Sequence, residues 1–223
     1  MPTFLIAEDD RQRRALLHDL LAKEFPAARV DEARNLAEAI ALARETRGRG
    51  EHYDVALLDV NLPPDGSGRQ GADVHPEVRG QLLKALTYAT FVVNYSSVAS
   101  DPRLRQEIDR LREPNAPAPV LIHASAGMNR NWPEAILRLC RRVVYGRRIA
   151  EQLDRLLRTD QFENGGVAAR SQHGTERSTG TQALGDLARD VKLHWNDLDD
   201  ELQRRIRSAF EITEVDGEVL VNL

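Results

Sequence analysis

Short apolar runs alternate with helical patterns over the first 125 residues of the chain. Five runs are typical of β-strands and cover residues 3–7, 28–32, 54–59, 90–96 and 119–124. The first, third and fourth runs are almost continuously apolar, which suits strands that are buried on both faces of a sheet. Strands that alternate with helices in this way predict βα units and a five-stranded parallel sheet.

Helical patterns fill the intervals between these runs. Apolar stripes at helical spacing run through residues 16–21 and 36–43, and further helices are predicted over 74–88 and 101–112. In the last of these, Asp101 is the predicted N-cap, followed by a proline at the first helical position. The predicted fold class is therefore α/β, with a doubly wound sheet between two layers of helices.

A long fifth helix is predicted after the last strand, from about Asn131 to about Arg158. Such a helix needs only about four turns to cover a sheet. Its apolar positions over 149–157 therefore extend beyond the sheet and require another partner. The first predicted domain, over residues 1–158, is this sheet domain with an extended fifth helix.

The rest of the chain is predicted to form a linker and a small C-terminal tail. Residues 159–183 are rich in Gly, Ser, Thr, Gln and charges, which predicts a polar flexible linker. Apolar stripes over 184–195 and 198–210 predict a pair of helices, with Asp197 as the N-cap between them. An Asp-Gly pair between two apolar runs then predicts a hairpin, so the tail domain covers 184–223.

Charge and composition exclude several classes of protein. With 31 Lys+Arg against 35 Asp+Glu, the net charge of -4 argues against a protein that mainly coats nucleic acid or an anionic membrane. Clusters of arginine on the predicted helices are interpreted as solvated faces. No apolar run approaches a membrane span and no secretory signal opens the chain, so we expect a cytoplasmic protein. Cys140 is the only cysteine, and we expect it to be a small buried hydrophobe.

Three acids fall at the ends of predicted strands. Glu8 and Asp9 follow the first strand, and Asp59 ends the third. The carboxyl ends of parallel strands form the edge where open α/β sheets hold ligands. Carboxylates gathered there would repel one another and raise at least one pKa unless a cation neutralised them. Oxygen ligands of this kind predict a Mg²⁺ site.

Three stretches of the chain resemble the receiver domain of two-component response regulators. They are FLIAEDD at 4–10, YDVALLDVNLP at 53–63 and FVVNYSS at 91–97, and the resemblance covers roughly residues 1–150. The most specific stretch is the second, an apolar strand that ends in Asp and is followed by Leu-Pro. The resemblance implies a flavodoxin-like fold and Mg²⁺-dependent phosphorylation by a histidine kinase or a phosphotransfer protein.

The resemblance also implies a role for each site residue. Asp59 is the implied phosphoacceptor, and Glu8 and Asp9 hold Mg²⁺ with it. The backbone carbonyl of Asn61 completes the metal site, and the hydroxyl of Ser96 hydrogen-bonds the phosphoryl group. The signal would then pass by protein contacts to an output partner that the sequence does not identify, so we expect a signalling protein and not an enzyme.

Two departures from the family leave an alternative open. The family has a lysine at the end of the fifth strand, where this chain reads VLIHASAG. His123 stands nearest to that position, either as a substitute for the lysine or as an ordinary strand-end residue. The expected switch aromatic falls on Val120, and Tyr95 is interpreted as strand packing. The alternative function is a degenerate receiver that acts as a phosphorylation-independent interaction module.

Other classes of function have less support. A DNA-binding regulator would need a basic recognition helix, which the tail lacks. A hydrolase that used Asp59 as nucleophile lacks the second acid two residues later, where Asn61 stands. For the tail, the apolar stripe over 149–157 predicts a homodimer contact, while docking of the tail on its own chain is the alternative. Neither a membrane nor nucleic acid is an expected partner.

Overall fold

In the computed structural model the chain divides into two units, Met1–Cys140 and Arg141–Leu223. The structure describes residues 1–66, 76–87, 89–96, 106, 110, 120–124, 131–165, 174–215 and 218–222. Within those residues, no helix combines the length and apolar character needed to cross a bilayer.

A parallel sheet forms the centre of the first unit. Its strands are β1 (Thr3–Ala7), β2 (Arg29–Ala33), β3 (Val55–Asp59), β4 (Phe91–Ser96) and β5 (Val120–His123). They lie in the order β2-β1-β3-β4-β5, which is the flavodoxin-like order and confirms the predicted fold class. The chain reverses its direction of winding between β1 and β3, so this is the point at which such sheets open a crevice for ligands.

The helices begin close to the predicted positions. They are α1 (Arg11–Glu24), α2 (Leu36–Gly48), α3 (Pro76–Ala85) and α4 (Trp132–Gly165), the last being the helix predicted as the fifth. Asp10 caps α1, because its Oδ1 accepts hydrogen bonds from the amides of Gln12 at 2.8 Å and Arg13 at 2.9 Å. The helix predicted over 101–112, with its N-cap Asp101, lies outside the described residues except at positions 106 and 110, which are helical.

One apolar core packs α2 and α3 against the sheet. The predicted stripe of α2 is buried throughout, from Leu36 to Ala43, and it packs with Leu58 of β3 and Leu82 of α3. Cys140 is fully buried in α4, as expected, and burial raises the pKa of its thiol to about 12. These contacts fix the strands whose ends carry the acids.

The second unit contains the distal part of α4 and the C-terminal tail. The tail consists of α5 (Gly174–His194), a short 3-10 helix (Trp195–Asp197), α6 (Asp200–Ala209) and an antiparallel hairpin of β6 (Glu211–Val215) and β7 (Glu218–Asn222). Asp199, and not the predicted Asp197, caps α6, because its Oδ1 accepts a hydrogen bond from the amide of Leu202 at 2.8 Å. The hairpin is where the sequence predicts it, and its turn at 216–217 lies outside the described residues.

The predicted flexible linker over 159–183 is helical wherever the structure describes its backbone. Helix α4 continues to Gly165, and α5 already begins at Gly174. Extending an existing helix adds one hydrogen bond for each residue that is fixed, so it is far less unfavourable than starting a new helix. No proline interrupts either stretch. Polar composition alone was therefore a poor guide to the backbone here.

The apolar stripe of distal α4 is covered by the tail of the same chain. Ile149 and Leu153 are fully buried in a cluster with Leu187, Val191, Trp195, Leu198, Leu202 and Ile206. Asp190 supports this packing, since its Oδ2 accepts a hydrogen bond from Gln152 at 3.1 Å and pairs with Arg148 at 3.0 Å. The tail thus adopts the within-chain alternative. Ile149 and Leu153 are therefore not available for a contact between chains, and the homodimer stays a prediction.

Two leucines one helical turn apart test this packing. Leu153→Ala is expected to lower the free energy of unfolding by about 3 kcal/mol, because it leaves a cavity in the cluster. Leu157, whose side chain is 39% exposed, is the matched control, and Leu157→Ala should change that free energy by less than about 0.5 kcal/mol. Urea denaturation followed by tryptophan fluorescence measures both. Equal losses in the two variants would contradict the observed packing.

Candidate functional site

Neighbouring strands bring three carboxylates together at the carboxyl edge of the sheet. Glu8 and Asp9 follow β1, Asp59 ends β3, and β1 and β3 pair directly. One carboxylate oxygen from each residue lies within 4.8 Å of the others. The three acids predicted from the sequence therefore form one group, which we call the acid cluster.

Burial makes the acid cluster electrostatically unfavourable. Glu8 is fully buried and Asp59 is 4% exposed. Loss of water, and then the charge of Asp59, raise the pKa of Glu8 to about 8. Loss of water is also the main cause that raises the pKa of Asp59 to about 6, and the charge of Asp9 adds to it. The acid cluster therefore binds protons more readily than free carboxyl groups do.

The hydrogen bonds of the acid cluster leave one buried oxygen without a donor. Glu8 Oε1 accepts a bond from the amide of Asp10 at 3.0 Å, and Asp59 Oδ1 accepts one from the amide of Asn61 at 3.3 Å. Among the described residues, nothing donates to the buried Glu8 Oε2. A buried polar atom without a partner is unfavourable, and a cation would satisfy it. The donor set consists of carboxylate oxygens, which fits a hard divalent cation such as Mg²⁺.

Ser96 and His123 end the next two strands along the sheet. Asp59 is paired in register with Tyr95, so Ser96 lies one residue beyond it, and Ser96 is paired with His123. Ser96 is fully buried. The side chain of His123 lies outside the described part of the structure, so its role stays a prediction, as does the role of the Asn61 carbonyl as a metal ligand.

Tyr95 packs in the sheet as expected and also borders the acid cluster. Its ring is fully buried and stacks on Trp132 of α4, with the ring centroids 5.9 Å apart. Burial and then the negative charge of Glu8 raise the pKa of the Tyr95 phenol. The hydroxyl faces Glu8 closely enough for this effect, although no hydrogen bond of acceptable geometry joins the two groups. Tyr95 therefore borders Glu8, the fully buried member of the cluster.

Helix α1 brings two arginines to the edge of the acid cluster. Arg14 Nη1 donates to the backbone carbonyl of Glu8 at 2.7 Å, and its Nε pairs with Glu32 at 3.0 Å. The positive charge of Arg13 lowers the pKa of both Glu8 and Asp59, although less than burial raises them. The start of α1 thus offsets part of the repulsion.

Arg79 is a buried cation that sequence analysis missed. Its side chain is 2% exposed, and its Nη1 donates to the backbone carbonyls of Asp59 at 3.1 Å and Val60 at 3.3 Å. Its Nη2 donates to Asn94 Oδ1 in β4. Burial lowers the pKa of the guanidinium to about 10. The sequence did carry a signal, because Arg79 interrupts the apolar stripe of α3 that contains Leu82.

An open cleft lies beside the acid cluster. Its volume is about 420 Å³, and its lining residues are Asp9, Arg34, Asn35, Glu38, Pro63, Asp65 and Gly66. The loop after β3 closes one side of it, because Pro63 and Pro64 carbonyls accept hydrogen bonds from the amides of Leu36 at 2.9 Å and Ala37 at 3.0 Å. The cleft gives a route from solvent to Asp9.

Comparisons with known proteins find similarity in solved structures only. No family model and no curated protein matches the chain. A receiver domain protein from Methanospirillum hungatei JF-1 is 18% identical with a TM-score of 0.42, over 61% of this chain and 88% of that one. Chemotaxis protein CheY4 of Vibrio cholerae is 21% identical with a TM-score of 0.45, over 65% of this chain and 99% of that one.

A third similar structure is a response regulator from Burkholderia pseudomallei, described with a phosphorylated aspartic acid, a calcium ion and citrate. It is 16% identical with a TM-score of 0.40, over 61% of this chain and 72% of that one. The fold assignment itself follows from the strand order of this chain.

The raised pKa values predict a pH-dependent stability that Mg²⁺ should counter. Glu8 binds a proton more tightly in the folded state than in the unfolded one, so its contribution to stability is lost as pH rises from 4.5 to about 8. Thermal melts across this range should therefore show a falling Tm. Millimolar Mg²⁺ should restore the Tm most strongly above pH 8, because protons no longer compete there.

Glu8→Gln tests the origin of this effect. It removes the buried charge at almost constant volume, so it should flatten the fall in Tm and reduce the response to Mg²⁺. Glu38→Gln is the control, because Glu38 lies at the cleft with a pKa that its hydrogen bond with the Arg34 amide lowers. If millimolar Mg²⁺ leaves the Tm of the wild type unchanged at every pH, the predicted metal site is contradicted.

Proposed function

We propose that the chain is a receiver-type signalling protein that is phosphorylated on Asp59, in a Mg²⁺-dependent manner, by a histidine kinase or a phosphotransfer protein. The observation that carries the proposal is the acid cluster, in which the buried Glu8 Oε2 has no hydrogen-bond donor in the described part of the chain. The protein would act in the cytoplasm and pass its signal through contacts with an output protein. It would not be an enzyme that turns over a separate substrate.

The side chain of Asp59 can act as the nucleophile. One carboxylate oxygen would form a bond to phosphorus as the bond from phosphorus to the donor's imidazole nitrogen breaks, and the electron pair stays on that nitrogen. The reaction needs an ionised Asp59, and the positive charges of Arg13 and Arg79 favour that form because they lower its pKa. When bound by Glu8, Asp9 and Asp59, Mg²⁺ would supply positive charge to the phosphoryl oxygens.

The remaining residues of the edge would hold the transferred group. The Ser96 hydroxyl, one residue beyond the partner of Asp59 in β4, would donate a hydrogen bond to a phosphoryl oxygen. The open cleft at Asp9 leaves room for a donor to approach from solvent. A rearrangement at this edge would change the surface that an output partner recognises.

A phosphorylation-independent interaction module is the second candidate. The observation that favours it is the composition of β5, which runs from Val120 to His123 without a lysine. Val120 also gives the strand an aliphatic residue where the resemblance implies an aromatic switch. In this alternative the acid cluster would bind a cation that only stabilises the fold.

Acetyl phosphate separates the two candidates. In the presence of Mg²⁺, the intact mass of the wild type is expected to rise by one phosphoryl group, and a chelator should prevent the gain. Asp59→Asn, which keeps the size of the side chain but is not a nucleophile, should show no gain. A wild type whose mass stays unchanged while Mg²⁺ still raises its Tm would favour the interaction module.

His123 is tested by substitution in the same assay. If its imidazole faces the phosphoryl group, His123→Ala should slow labelling, and His123→Lys should restore it at least in part, because an ammonium stabilises the negative oxygens. Initial rates from mass spectrometry measure both variants. If both variants are labelled at the wild-type rate, His123 has no role in labelling and is an ordinary strand-end residue.

A further inference from the structure

Arg79 is buried in a part of the molecule that does not need a charge for packing. It lies on α3 in the face that also contributes Leu82 to the apolar core, and its side chain is 2% exposed. No carboxylate among the described residues forms an ion pair with its guanidinium; the three contacts are two carbonyls and one amide oxygen. Burying a guanidinium is strongly unfavourable, and a methionine of similar size would fill the space without that penalty.

The contacts of Arg79 hold the turn that follows β3. One nitrogen donates to two consecutive carbonyls, those of Asp59 and Val60, and the other donates to Asn94 of β4. The next residue is Asn61, whose amide donates to the Asp59 carboxylate. The guanidinium therefore holds the two peptide groups that follow the Asp59 side chain and ties them to the neighbouring strand.

Arg79 also places a permanent positive charge next to the acid cluster. The charge of Asp59 raises the pKa of Arg79 and partly offsets the effect of burial, and the charge of Arg79 lowers the pKa of Asp59. The described strand β5, with the sequence VLIH, brings neither lysine nor arginine to this edge. The positive charge of Arg79 comes from helix α3 and not from β5.

We propose that Arg79 is a positioning residue for Asp59: it clamps the last peptide groups of β3 and supplies a fixed positive charge to the acid cluster from α3. The proposal rests on the proposed role of Asp59 as phosphoacceptor. It assigns Asn94 the task of holding the guanidinium in place, since Asn94 is buried and its Oδ1 accepts from Nη2.

The fixed charge of Arg79 should have opposite effects on the rate of phosphoryl transfer and on the affinity for Mg²⁺. Arg79 should speed the transfer of a phosphoryl group to Asp59, because its hydrogen bonds hold the backbone that orients the nucleophile and its charge faces the incoming phosphoryl oxygens. It should weaken Mg²⁺ binding, because two cations beside the same carboxylates repel. A residue that only supported the fold would, on removal, reduce both labelling and Mg²⁺ binding.

Substitutions at Arg79 distinguish the two roles, because a positioning residue and a residue that only supports the fold predict opposite changes in Mg²⁺ binding. Above pH 8 and at saturating Mg²⁺, Arg79→Gln should slow labelling by acetyl phosphate at least about tenfold. In the same variant, the Mg²⁺ concentration at half-maximal rise in Tm should fall by about tenfold. Arg79→Lys, which retains the charge, should stay within about threefold of the wild type in both measurements.

The matched control is Arg47→Met. Arg47 Nη1 also donates to a backbone carbonyl of α3, that of Lys84 at 3.2 Å, at the end of the helix away from the acid cluster. Arg47→Met should leave the labelling rate and the Mg²⁺ concentration at half-maximal rise in Tm at wild-type values. If Arg79→Gln does not fold, Asn94→Asp serves in its place, because a carboxylate on the guanidinium neutralises its charge at nearly constant volume and should also tighten Mg²⁺ binding.

The outcomes separate this proposal from the proposed function. If the wild type is never labelled, the phosphoacceptor role fails, while the Mg²⁺ titration still tests the charge of Arg79. An unchanged or raised Mg²⁺ midpoint in the folded Gln or Asp variant overturns the proposal. Labelling of Arg79→Gln at the wild-type rate also overturns it, as does an Arg79→Lys variant that is no better than Arg79→Gln.

Discussion

Repulsion between carboxylates buried at the ends of β1 and β3 is the constraint on which the arrangement of this edge depends. Glu8 and Asp59 lose their water and face each other, so both charges are unfavourable without compensation. The compensation is spread over several elements. The amides of Asp10 and Asn61 donate to the carboxylates, α1 contributes the charge of Arg13, and burial favours the protonated form of Glu8.

The sheet and the acid cluster could be predicted from the sequence because both follow from local patterns. Parallel strands buried on two faces are continuous apolar runs, and their carboxyl ends must meet at one edge, so Asp59 and the Glu8–Asp9 pair could be placed together. The contacts of Arg79 could not be predicted in this way. Its partners Asp59 and Asn94 are 20 and 15 residues away in the chain, and only the packing of α3 brings them together.

In the C-terminal tail, a local pattern was given too much weight. The polar composition of 159–183 predicted a linker, yet the described residues of α4 and α5 there are helical. The apolar stripes were identified correctly, but a stripe does not say which chain covers it. Contacts such as Arg148 with Asp190, 42 residues apart, and the burial of Ile149 show that this chain covers its own stripe.

The positive charges that can offset the acid cluster are of two kinds, those fixed in the chain and those that exchange with solvent. An arginine is covalently part of the chain and keeps its proton at neutral pH, so its charge is constant, whereas a metal ion exchanges with solvent and a proton on Glu8 exchanges with pH. Arginines that neutralised the acid cluster completely would leave no reason for a divalent cation to bind. Glu8 Oε2 has no donor among the described residues, so the compensation is incomplete at that oxygen. The proposed function needs this remainder, because a site that is to admit a cation and then a phosphoryl group must keep some negative charge that fixed cations do not neutralise.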